Sequence, residues 1–283
     1  MRVGITKLKR FWLRSISEFL LKEKIKFSEC ETPEEIKKGK CDVVIVKGYP
    51  NTGIISEEKP ERSYARDNFH GKNILYFESS FFMEFPSVRV TAGGTLRLDS
   101  QFCEVPDYKQ LEKIKKSYTQ ITDRGDRIGV MLQLPCDSSL RHYGDMERPA
   151  VYLEEIKKAI APYPKERVLI RLHPRYNSPE FAPLTPEWHE GIKSLGVEIE
   201  EAGPTTQEFL KKCEFTMSAT STTGAESWIQ GVPHIAFSEQ SWAYPMNDGQ
   251  NVEEWLAVLA ANTYDMDDLR SGKWFRNIYG DKK

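Results

Sequence analysis

Residues 215–237 read Phe215-Thr216-Met217-Ser218-Ala219-Thr220-Ser221-Thr222-Thr223-Gly224-Ala225-Glu226-Ser227-Trp228-Ile229-Gln230-Gly231-Val232-Pro233-His234-Ile235-Ala236-Phe237. A short apolar run at 215–217 leads into a hydroxyl-rich turn, an amphipathic stretch over 222–230 and a second apolar run at 234–237. This pattern predicts strand, turn, helix and strand, and such a crossover makes the two strands parallel. The same alternation extends upstream. It predicts strands at 128–134, 168–172 and 197–199, with helices at 150–161, 186–195 and 206–212. Five strands separated by helices describe a Rossmann-like layer.

The first half alternates in the same way, with strands expected at 1–5, 42–46, 73–77 and 88–91 and helices at 11–23, 32–38 and 108–121. Thr32-Pro33-Glu34-Glu35 supplies an N-cap, a proline for the first helical position and a capping-box glutamate. Gly39 is the expected helix stop. The polar stretch 122–126 is the expected junction. The reading is therefore α/β and GT-B-like, with two Rossmann-like domains facing a central cleft. It places a first domain at 1–124, a second Rossmann-like domain at 125–262 and a segment at 263–283 that crosses back to the first. A further helix is expected at 252–261.

The 40 basic and 42 acidic residues leave a net charge of −2, so no global basic field exists to hold nucleic acid or an anionic membrane. The basic clusters at 7–10 and 113–116 read as solvated faces. Five cysteines without a CxxC spacing argue against a disulfide framework or a structural zinc, and fit a cytoplasmic protein. There is no secretory signature and no apolar run long enough to span a bilayer. Oligomeric state has no signature here.

Ligands of open α/β sheets sit off the carboxyl ends of the strands, and three such positions in the second half carry chemistry. After 128–134 comes Asp137-Ser138-Ser139, a carboxylate able to act as nucleophile or base at a sugar carbon, or simply to cap a turn. After 168–172 comes His173-Pro174-Arg175, a held imidazole beside a cation, suited to a phosphate leaving group. After 215–217 comes the hydroxyl turn, with Ser221, Thr222 and Thr223 as candidate phosphate donors and Glu226 as a candidate ribose contact. No GxxxxGK[ST] or GxGxxG appears, which disfavours a P-loop kinase or a nicotinamide enzyme. His70, His142, His189 and His234 read as structural. Cys136 with His142 lacks a third orienting group, and Trp242 and Tyr244 read mainly as packing. Asp123, Asp145 and Glu147 read as solvated turns, and no metal is expected.

At these residues the sequence resembles the bacterial capsule-polysaccharide synthesis transferases, the group that includes the retaining β-Kdo transferases. The resemblance runs through Gln133, Asp137-Ser138-Ser139, Gly144, His173-Pro174, Ser221-Thr222-Thr223-Gly224, Glu226 and Gly231-Val232-Pro233. It covers 128–245, with Tyr244 also fitting. Fainter is Tyr76-Phe77-Glu78, where Ser79-Ser80 replaces a glycine of the family pattern; it marks Glu78 as an acceptor-side residue.

The resemblance implies a GT-B fold, with the acceptor side in 1–124 and the nucleotide sugar bound by 125–262, and a retaining glycosyltransferase whose donor is CMP-linked in the Kdo enzymes. Phosphate binding by His173 and the turn at 221–223 is expected to need no metal and no cofactor beyond a CMP- or UDP-linked sugar. Asp137 would be the catalytic carboxylate. His173 would work with it, and Gln133, Ser138, Ser139, Arg175 and the turn at 221–223 would hold the donor. The implied acceptor is a glycan or glycolipid, and a hydroxymethylated base of modified DNA is a second possibility. A nucleotide-sugar 2-epimerase and a non-catalytic nucleotide-binding protein are the alternatives.

Overall fold

The computed structural model describes residues 1–6, 8–48, 59–134, 137–140, 148–176, 185–200 and 205–280. Two compact units emerge, each with its own sheet. Unit 1 comprises Met1–Pro50, Glu58–Ile114 and Leu256–Lys283; unit 2 comprises Asn51–Glu57 and Lys115–Trp255.

Unit 1 contains β1 (Arg2–Ile5), α1 (Arg10–Lys22), β2 (Lys26–Glu29), α2 (Pro33–Gly39), β3 (Val43–Lys47), α3 (Pro60–Asn68), β4 (Ile74–Ser79), β5 (Val88–Ala92) and α4 (Tyr108–Lys115). The chain returns to this unit near its end with β11 (Thr263–Tyr264), α10 (Met266–Ser271) and α11 (Lys273–Tyr279). The sheet runs β11-β5-β4-β3-β1-β2. Strands β2, β1, β3 and β4 are parallel, whereas β5 and β11 are antiparallel. Trp274 of α11 is 1% exposed and meets Phe19 and Phe77 edge-on at 5.6 and 5.3 Å. Burying each such aromatic contributes roughly 1.5–3 kcal/mol, which fastens the C-terminal segment into this core.

Unit 2 contains β6 (Arg127–Met131), α5 (Pro149–Ile160), β7 (Val168–Arg171), α6 (Thr185–Lys193), β8 (Glu198–Glu200), α7 (Thr206–Lys211), β9 (Cys213–Ser218), α8 (Thr223–Ile229) and β10 (His234–Ala236). Helix α9 (Val252–Ala261) follows, and from Leu256 on it belongs to unit 1. All five strands are parallel in the order β10-β9-β6-β7-β8. Strand order therefore reverses between β6 and β9, which is the switch point where such sheets bind ligands. Beneath it Tyr152 of α5 stacks on Trp188 of α6 at 5.3 Å and 11°.

Several local expectations change. The helix expected at 108–121 ends at Lys115, because the following segment is drawn onto unit 2. There Gln120 Nε2 donates to the Ile229 carbonyl at 2.6 Å and the Ile121 amide to that of Gln230 at 2.8 Å. Gly39 does not stop α2; the left-handed residue is Lys40, at φ 46°. Glycine at 39 instead leaves room for the Cys41 thiol, which would lie 3.1 Å from an added Cβ. Strands β2 and β11 and helices α3 and α10 were not anticipated. No helix among the described residues is long and apolar enough to cross a membrane.

Candidate functional site at the switch point of unit 2

The sequence-predicted residues of the β6 and β9 ends come together. Strand β6 continues for one ladder bond, from the Leu132 amide to the Arg171 carbonyl at 3.0 Å, and then leaves the sheet. Gln133, 6% exposed, thus stands at the top of the sheet beside the turn after β9. Its Oε1 accepts from the Thr220 amide at 2.8 Å, and its Nε2 donates to Ser139 Oγ at 2.7 Å and Thr220 Oγ1 at 2.9 Å. The Gln133 backbone amide donates to the Tyr152 hydroxyl at 3.1 Å. Every polar atom of this side chain is used, and that fixes which way the amide faces.

Ser139 passes the order on to Asp137. Its amide and hydroxyl both donate to Asp137 Oδ1, at 2.9 and 2.8 Å. The capping role considered for Asp137 is therefore real, and it engages one oxygen. Oδ2 accepts no hydrogen bond from the described residues. Ser138 opens a short 3-10 turn, Ser138–Leu140.

His173 follows β7, half-buried, with its Nδ1 accepting the Arg175 amide at 3.1 Å. An accepting Nδ1 places the ring proton on Nε2. Burial lowers the imidazole's pKa, nearby Asp137 opposes that, and Arg175 and Arg171 add to it. The ring is held neutral with one N–H to offer. Asp137 and His173 are thus electrostatic neighbours, whereas the Arg175 side chain is exposed.

In the turn after β9, Ser221 Oγ and Thr223 Oγ1 lie 2.7 Å apart and the Thr223 amide donates to Ser221 Oγ at 3.3 Å. Thr222 is the N-cap residue of α8 but makes no side-chain cap bond. Gly224 lets α8 abut β10: an added Cβ would lie 2.7 Å from Ala243 Cβ and from His234 Cδ2. Glu226, 3% exposed, lies beneath the turn and accepts from the Tyr118 hydroxyl at 2.8 Å. It braces the turn from inside.

Glu78 lies in unit 1, where it ion-pairs with Arg89, its direct cross-strand neighbour on β5. Gly144, Cys136, His142, Asp145 and Glu147 lie outside the described residues. His234 is structural as expected: fully buried, its ring bonds Thr216 Oγ1 at 2.9 Å and Ser218 Oγ at 3.1 Å. Trp242 is buried, and its carbonyl accepts from Trp255 Nε1. Asp265-Met266-Asp267 has an Asp-x-Asp spacing, but Asp265 caps α10 and pairs with Lys113. No cluster of three metal-ligating side chains exists among the described residues. Thr220, Tyr152 and Tyr118 were missed as site residues; only Thr220 carried a signal, as part of the hydroxyl turn.

No protein-family model matches the chain, and no curated protein matches its sequence. Solved structures do match. The β-Kdo 2,7 transferase of Thermosulfurimonas dismutans KpsC overlaps with a TM-score of 0.57 at 14% identity, covering 97% of this chain and 99% of that one. The β-Kdo 2,4 transferase of the same KpsC overlaps at 0.52 and 15%, covering 90% and 89%. A UDP-GlcNAc 2-epimerase of Methanocaldococcus jannaschii gives 0.39 at 13%, covering 97% and 98%. The chain has a GT-B-like α/β fold, and its resemblance to the capsule-synthesis β-Kdo transferases holds at the level of that fold.

Proposed function

We propose that the chain is a glycosyltransferase that takes a sugar from a nucleotide donor held at the carboxyl edge of unit 2. One observation carries this reading: a carboxylate with one oxygen tied and the other accepting no hydrogen bond from the described residues, within electrostatic reach of an imidazole that offers an N–H, at the switch point of a parallel sheet. Such a pair fits a sugar–phosphate bond. His173 Nε2–H donates to the phosphate oxygen that gains charge as the bond breaks, helped by the Ser221–Thr223 hydroxyls. Asp137 Oδ2 faces the anomeric carbon.

In a retaining course Oδ2 bonds that carbon while the carbon–oxygen bond to phosphate breaks and the nucleotide departs with both electrons. The acceptor hydroxyl then displaces the carboxylate, and its proton leaves to water. A CMP- or UDP-linked sugar is the proposed donor and a glycan or glycolipid the proposed acceptor. The neighbours named Kdo transferases support the first half of this reading through their fold.

The test incubates wild type and Asp137→Asn with CMP- and UDP-linked sugars carrying a labelled sugar. The reading expects label to leave the nucleotide with wild type only, at least about 10³-fold slower in the variant. Label that stays on the nucleotide with inverted configuration would instead mark an epimerase.

A further inference from the structure

A cavity of about 290 Å³ lies in unit 1 where the chain leaves β1 and β4. Lys9, Phe11, Trp12, Ser79, Ser80 and Met83 are among the residues that line it, and among the described residues no carboxylate does so. Its position repeats the logic of unit 2: these are carboxyl ends of parallel strands, next to the β1/β3 point where strand order reverses. Its chemistry is different. Phe11 is 53% and Met83 58% exposed, an unusual amount of apolar surface to leave beside one opening. The Lys9 ammonium stands 4.9 Å from the Trp12 ring centre and 5.8 Å from that of Phe11.

Cations gather nearby, with Glu61 the acid that acts on Arg62. The amine of Lys47, at the end of β3, has its pKa lowered by burial and then by Lys9, Arg62 and Lys59. Arg62 Nε is buried and finds no acceptor among the described residues. An aromatic wall beside a positive field selects a ligand that has both an apolar ring face and a negative charge.

We infer that this cavity is a saccharide subsite, in which Phe11 walls the sugar ring and Lys9, seated over Trp12, reads a carboxylate or phosphate carried by it. As an acceptor subsite it rests on the glycosyl-transfer reading; as a binding site it stands alone.

Saturation-transfer NMR on the full chain tests it with methyl β-glucuronide, glucose 6-phosphate and the neutral methyl β-glucoside. Lys9→Gln and Phe11→Ala change exposed side chains, and their melting curves check that both fold. The expected result is binding of at least one anionic sugar with Kd of order 1 mM. The glucoside should bind about tenfold more weakly, and Lys9→Gln should erase that difference. Transfer to glucuronide alone identifies a carboxylate reader, and to the sugar phosphate alone a phosphate reader. Equal binding of neutral and anionic sugars, no transfer to any of them, or a Lys9→Gln variant identical to wild type overturns the inference. CMP and UDP titrations of the same samples report on unit 2 separately, so failure of the donor reading is distinguishable from failure of this one.

Discussion

The Gln133 side chain and the Thr220 backbone amide meet at 2.8 Å across the ends of β6 and β9, 87 residues apart in sequence. The bond closes the switch point of unit 2 and, through Ser139, sets the position of Asp137. The loop that carries the carboxylate and the turn that would carry the phosphate are therefore one hydrogen-bonded body.

That coupling predicts the behaviour of Gln133→Met. The thioether matches the volume but leaves the Thr220 amide without its acceptor, and the Ser139 hydroxyl loses one of its donors while keeping Asp137 and Thr220. Leaving buried groups unsatisfied costs about 1–3 kcal/mol. Chemical denaturation should show that loss with an unchanged m-value. Sugar transfer should fall further than stability does, because Ser139, and with it Asp137, loses the Gln133 tie that fixes its position. A variant that loses stability but keeps full transfer would separate the two.

Gly224→Ala should destabilise although alanine is the better helix former. Its Cβ would overlap Ala243 and His234. Overpacking of this kind costs about 1–3 kcal/mol, so thermal melts should show a drop of several degrees. An unchanged melting temperature would mean that α8 and β10 are further apart than the geometry has them.

Buried His234 makes unit 2 acid-labile. Burial lowers its pKa to about 3 in the folded state, against roughly 6.5 when unfolded. Between those values the unfolded chain binds the extra proton, so stability rises with pH there. The contribution is complete above about pH 6.5 and is lost as pH falls, amounting to about 2 kcal/mol by pH 5. His173, also lowered, adds in the same direction. Proton NMR of the His234 ring should show no titration down to pH 5; a midpoint near that of a free histidine would refute the assignment.

Local grammar was legible in the sequence where neighbours alone decide it. The Thr32/Glu35 capping box forms as its spacing predicts, and the five strands of unit 2 lie where apolar runs meet helices. Legibility ended where tertiary partners intervene. The segment after Lys115 reads as helix, yet Gln120 and Ile121 bond to the end of α8. Glu226 reads as a ribose contact at a helix start, but it is buried and accepts from the Tyr118 hydroxyl, 108 positions away in sequence. Thr220 was visible only as one hydroxyl among several, since its bond to Gln133 has no local signature. Strand β2, with Lys26 and Glu29 among its four residues, is an exposed edge with no apolar run to announce it.

Nucleotide binding tests the central claim most directly. Thermal shifts would be measured with CMP, UDP, GDP, CDP and ADP on wild type and on His173→Ala. A ligand that binds only the folded state must raise the melting temperature. The account predicts a shift with CMP, UDP or CDP, and a Kd weakened about 10- to 100-fold in His173→Ala through loss of the Nε2–H bond to phosphate. No shift with any nucleotide at millimolar concentration, or an equal shift in both proteins, would contradict a donor site at the switch point of unit 2.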